Sequence, residues 1–167
     1  MRLHLRGLIA ALVLFIAGIS PAIAQANSGG YLQCAPFARE YSGIQLFGRA
    51  ADWWGQAQGR YARGNAPKVG AVLSFQATGR MRAGHVATVS DIVDARTIRV
   101  THANWSIING RRGQIEQNVS VVDVSANNDW SEVRVWYAPI GKVGTSVYPA
   151  NGFIYNEAPR VQVASAY

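Results

Sequence analysis

From residue 69 to residue 137 apolar and polar side chains alternate in five short runs: 69–75, 84–92, 97–104, 114–124 and 132–137. Val, Ile, Thr, Phe, Tyr and Trp are frequent in them, and a period of two with such residues predicts β-strands. Turns are expected at 79–84, Asp94-Ala95, 109–113 and 125–130, which are rich in Gly, Asn, Asp and Ser. Upstream the pattern changes. Residues 33–43 (QCAPFAREYSG) predict a short helix, because Pro36 suits a first turn, Ala and Phe continue it, and Gly43 suits its stop. A second short helix is expected over 49–57, carrying Trp53 and Trp54, followed by a loop over 59–68. After Gly141 the periodicity dissolves into Gly, Pro, Asn and Ala, which predicts a loosely packed extension over 141–167. Helices followed by an antiparallel sheet argue for an α+β domain over residues 31–140, its N-terminal helices packed on the sheet.

The start of the chain reads differently. Arg2 and Arg6 precede an apolar run over 8–19 and a small-x-small motif, Ala22-Ile23-Ala24. This is the form of a cleaved export signal over 1–24, with the cut after Ala24 or alternatively Ala26. The run is shorter than the ~20 residues a membrane-crossing helix needs. Residues 25–30 then form a flexible leader. Nothing later is long and apolar enough to span a bilayer, so the expected product is periplasmic or secreted, with no stable membrane span. Hydrophobic residues make up 49% of the chain and charged residues 15%, which excludes a disordered chain. The formal charge is +7 and Lys68 and Lys142 are the only lysines beyond residue 24, so the basicity is arginine. That composition favours an anionic partner; after export, nucleic acid is not the expected one.

The chemistry gathers around Cys34, the single cysteine. An unpaired cysteine in an exported protein is a candidate reactive thiol. Its place at a helix start, where free N–H groups and the helix dipole favour an anion, predicts a lowered pKa. A hairpin turning at Asp94-Ala95, with Val93 opposite Arg96, places His85, Ala87, Val89 and Asp91 on one face opposite Asn104, His102, Val100 and Ile98. His85 then faces Asn104 directly and His102 diagonally. The other face, with Thr88, Ser90 and Thr101, suits solvent. A thiolate needs an imidazole to exchange protons with, and that imidazole needs an orienting partner. Cys34, His85 and either His102 or Asn104 supply those types. Arg80 and Arg82 enter the strand of His85 and are candidates to meet substrate carboxylates.

The combination QCAPFAREYSG, DWW, PKVGAVLSF, GHVATV and THANW resembles the CHAP family of cysteine, histidine-dependent amidohydrolases and peptidases. The resemblance spans about residues 31–140. It implies a papain-like fold, related to the NlpC-type cell-wall peptidases, with Cys34 as nucleophile and His85 as general base. The family's acidic orienting position is occupied here by His102, and Asn104-Trp105 matches the family's Asn-Trp pair. His102 is therefore assigned as orienter and Asn104 as a polar support. By analogy Gln33 is a candidate oxyanion donor, and Trp54 and Trp105 are candidate groove residues. The implied function is an exported, monomeric peptidoglycan hydrolase that cleaves an amide bond without cofactor or metal, as an N-acetylmuramoyl-L-alanine amidase or an endopeptidase. Two alternatives stand beside it: a zinc-binding protein using Cys34, His85 and His102, and a non-catalytic wall-binding domain.

Overall fold

A computed structural model describes residues 31–159. The expected export signal and leader lie outside the described residues, as does the end of the tail. The helix predicted at the start is present as α1 (Cys34–Ser42), stopped by Gly43 in the left-handed region at φ 75°. A 3-10 turn (Ala50–Asp52) runs into α2 (Trp53–Gln56). The strands follow: β1 (Arg63–Gly64), β2 (Val72–Phe75), β3 (His85–Ile92), β4 (Thr97–Ala103), β5 (Ile115–Asp123), β6 (Glu132–Tyr137), β7 (Lys142–Val143) and β8 (Tyr148–Ile154).

The expected papain-like α+β arrangement, with helices against an antiparallel sheet, does not describe this molecule. It is mostly β. Strands β8, β2, β3, β4, β5 and β6 pair in that order and antiparallel, and β6 pairs back onto β8 through Glu132 with Pro149 and Val133 with Tyr148. The six strands thereby close into a barrel with no free edge between β6 and β8. Closure depends on β8, drawn from the stretch expected to be loosely packed. Ala150, Phe153, Ile154 and Tyr155 are buried. The local pattern there is broken by Pro149, Asn151 and Gly152, so its strand character comes from partners on both sides rather than from its own alternation. Gly152 has φ 119°, and a Cβ there would lie 2.6 Å from the Gly64 carbonyl oxygen, which explains a glycine in mid-strand.

Inside the barrel, Leu73, Phe75, Ala87, Val89, Ile98, Val100, Val121, Val133, Val135 and Phe153 form one apolar core, with Trp105 and Trp130. A second core lies outside the wall, where Ala35, Ala38, Ile44, Leu46, Trp53 and Ala57 cover Val72, Val86 and Ile154. The helices are thus a patch on one outer face of the barrel.

That patch corrects a second expectation. Thr88 and Thr101 do not face solvent; both are buried, since α1 lies against β3 and β4. The hairpin register holds in its inner half, with Thr88 opposite Thr101 and Val89 opposite Val100, and shifts by one before Asp91 meets Arg99. The bulge matches a wider turn than the two-residue one expected, closed by Val93 N–H donating to the Thr97 carbonyl at 2.9 Å.

Candidate active site

His85 and His102 share the parity of the core residues of their strands, so both rings enter one end of the barrel. They are 3% and 1% exposed, and Nε2 of His85 lies 3.0 Å from Nδ1 of His102. Trp105 braces the pair: its ring centroid is 4.8 Å from that of His85 and 5.7 Å from that of His102. Phe75 meets His85 from the other side at 5.4 Å. The diagonal contact expected between the histidines is therefore present, and it leaves Nδ1 of His85 as the ring nitrogen available to another group.

Burial drives both imidazoles toward the neutral form. For His85, desolvation comes first, followed by the charges of His102 and Arg112, and together they hold its pKa well below the ordinary histidine range. His102 is pushed down to about 3 by burial. Its Nε2 is buried with no hydrogen-bond partner among the described residues.

Cys34 is the first residue of α1, after Gln33 in an extended conformation. The side chain is half-buried against the helical core. The lowered thiol pKa expected from the helix start is not what the surroundings produce. Burial raises it, and the amides of Val86, Ala35 and Cys34 itself offset this only in part. The Val86 amide adjoins His85 in the chain, so thiol and imidazole approach the wall of the barrel at neighbouring residues of β3. Among the described hydrogen bonds none joins Cys34 to either ring; such contacts are often long before substrate binds.

Asn104 departs from the expected pairing. It leaves the ladder in the left-handed region at φ 66°, a conformation asparagine tolerates better than most residues. Its side chain turns to Gln33, donating from Nδ2 to Oε1 at 3.3 Å. His102, not Asn104, meets His85. Gln33 is exposed, next to Cys34 in the chain, with its amide oxygen accepting from Asn104. The turn from Asn104 to Ser106 is fastened by a group that sequence reasoning missed. Glu116 is buried and accepts from the Ser106 backbone N–H and hydroxyl, both at 2.7 Å. Trp105 Nε1 donates to the Trp136 carbonyl at 3.0 Å. A lone glutamate in an alternating strand carried no signal of this contact.

Trp54 does not join the site. It lines a separate cleft with Tyr61, Asn65 and Tyr155, under Arg63 at 4.7 Å, while Trp53 is wholly buried. The zinc alternative also lacks its geometry: among the described residues no three His, Cys, Asp or Glu side chains converge as a ligand set, so Cys34, His85 and His102 do not form one.

Residues 24–104 match the family model of the CHAP domain. The chain carries a CHAP domain. CHAP domains are cysteine/histidine-dependent amidohydrolases and peptidases, and the matched stretch contains Cys34, the His85–His102 pair and Asn104. No curated protein matches the chain. The strands that close the barrel, from β5 to β8, lie beyond the matched residues.

Proposed function

We propose that this CHAP domain is an exported peptidoglycan hydrolase that cleaves an amide bond, acting as a monomer in the periplasm or the medium. The observation that carries the reading is the buried His85–His102 pair, bonded at 3.0 Å beside the residue whose amide meets Cys34. Peptidoglycan as substrate is supported by the family match and by the basic charge of the chain.

In this mechanism the Cys34 thiol gives its proton to Nδ1 of His85 as the sulfur attacks the scissile carbonyl. Nδ1 must then start unprotonated, so Nε2 carries the hydrogen and donates to Nδ1 of His102. That fixes the tautomer and orientation of the base, the part His102 takes here. A neutral ring gives the His85 imidazolium no full counter-charge, so neutral thiol and neutral imidazole form the ground state. Gln33, whose amide oxygen accepts from Asn104, offers an amide N–H donor for the developing oxyanion. His85 then protonates the leaving amine, and water attacks the thioester to restore the enzyme.

Cys34→Ser should fold normally and release no fragments from purified sacculi, while the parent chain releases fragments whose new termini, read by mass spectrometry, identify an amidase or an endopeptidase. Wall degradation by Cys34→Ser at the parent rate would overturn the nucleophile. Saturable binding to sacculi without cleavage by the parent would favour the wall-binding alternative.

A further inference from the structure

Trp105 also lines a surface cleft of about 450 Å³, with Arg80, Met81, Arg112, Tyr137 and Tyr148 among others. It runs on into a smaller hollow of about 260 Å³ that shares Trp105, Arg112, Tyr137 and Tyr148. Neither is lined by an Asp or Glu. Among the described residues neither Arg80 nor Arg112 is in an ion pair, as is true of most of the arginines.

Both arginines ride on short, closed turns. Arg112 follows a tight turn through Asn109 and Gly110, each with positive φ, where Ile108 N–H donates to the Arg111 carbonyl at 2.9 Å and Arg111 N–H returns the bond at 3.0 Å. Beyond it Gly113 is pressed against the segment leading into α1: a Cβ there would lie 2.9 Å from the Tyr31 ring, and Leu32 N–H donates to the Gly113 carbonyl. The arm carrying Arg112 is thus pinned at both ends, and to the strand of chain that delivers Cys34. Arg80 occupies the turn closed by Thr78 and Met81, which exchange backbone hydrogen bonds at 3.2 and 3.1 Å.

We infer that this cleft is a carboxylate-binding subsite, in which Arg112, with Arg80 at the rim, holds an acidic group of the substrate peptide against Trp105, Tyr137 and Tyr148. The inference rests on the reading of the neighbouring site as a hydrolase of peptide amides. A guanidinium offers a carboxylate two parallel donors, and Trp105, Tyr137 and Tyr148 line the same cleft. Trp105 lines the cleft and its ring centroid is also 4.8 Å from that of His85, so the cleft and the histidine pair share one wall. Charge links the two places as well: Arg112 disfavours a proton on His85, and a carboxylate seated on Arg112 opposes that field when the base must accept one.

The test is binding of a synthetic peptidoglycan stem tripeptide with free carboxylates, compared with the same peptide amidated at each carboxyl, followed by calorimetry on the full exported chain. The free acid should bind about tenfold more tightly than the amide, a ratio set by charge-assisted hydrogen bonds. Arg112→Gln should abolish that preference, Arg112→Lys should restore part of it, and Arg80→Gln should reduce it. Arg134→Gln, the same charge change on the outer face of β6, should leave it intact. Equal binding of the two peptides, no binding of either, or an undiminished preference in Arg112→Gln would overturn the subsite. Sacculus digestion by the parent chain separates the two ideas: a carboxylate preference without cleavage sinks the hydrolase and keeps the subsite, and cleavage without the preference does the reverse.

Discussion

At the scale of single residues, the site is built to rest uncharged. Cys34 is raised and His85 lowered by the same cause, removal from water. A thiol with a raised pKa is present as thiolate only at alkaline pH, so iodoacetamide should alkylate Cys34 slowly at neutral pH and reach its full rate only above the ordinary thiol range. A base with a lowered pKa stays competent on the acid side, so kcat/KM should hold its plateau below pH ~6.5, the ordinary histidine value. Rapid alkylation at pH 6 with no further rise would show a preformed thiolate–imidazolium pair and contradict this account. Cys34 stood out by residue type and its place at a helix start, and the contact of His85 with His102 was legible because strand parity puts both rings on one face. The direction of the Cys34 shift was not: helix position speaks for an anion, and only the packing around the sulfur shows that burial wins. Arg112 was equally hidden, since an arginine after a turn looks like any solvated one.

At the scale of elements, the link after β4 matters most. Asn104, Trp105 and Ser106 leave the sheet together, and Glu116 on β5 ties Ser106 through two hydrogen bonds at 2.7 Å. Glu116→Ala strands a buried N–H and hydroxyl, which should cost about 2 kcal/mol or more of stability in a denaturant titration. By freeing Trp105 behind the histidines it should also lower kcat about tenfold, the order expected from misplacing a catalytic group. Glu116→Gln, which keeps one acceptor oxygen, should recover part of both. Unchanged stability and rate in Glu116→Ala would show that the turn holds itself. Strand positions and the start and stop of α1 were readable from alternation and from Gly43. The bulge after Val89 was not, because a shift of one residue leaves the local alternation almost unchanged while it changes the partner.

At the scale of the whole molecule, the decisive contact is the pairing of β6 with β8. It seals the barrel around Phe153, which is fully buried and edges against Trp130 at 5.6 Å. Phe153→Ala should destabilise the domain by about 3–5 kcal/mol, the usual cost of emptying a large aromatic site, and chemical denaturation will measure it. A loss below 1 kcal/mol would mean that the last strand is only draped on the barrel, as the tail composition implied. The sequence alone settles what is short-range: a period of two in the strands, a helix opening on Cys34, and the shared parity that sends His85 and His102 to one face. Each follows from stereochemistry repeated every two to four residues. Whether the sheet stays open beneath helices or curls until its ends meet is a matter of long-range pairing. Strand alternation is the same in both cases, and Tyr148–Ile154 finds its hydrogen bonds only when β2 and β6 already stand on either side. Tertiary structure alone decided that, and with it the cleft at Trp105, whose walls come from loops distant in the chain.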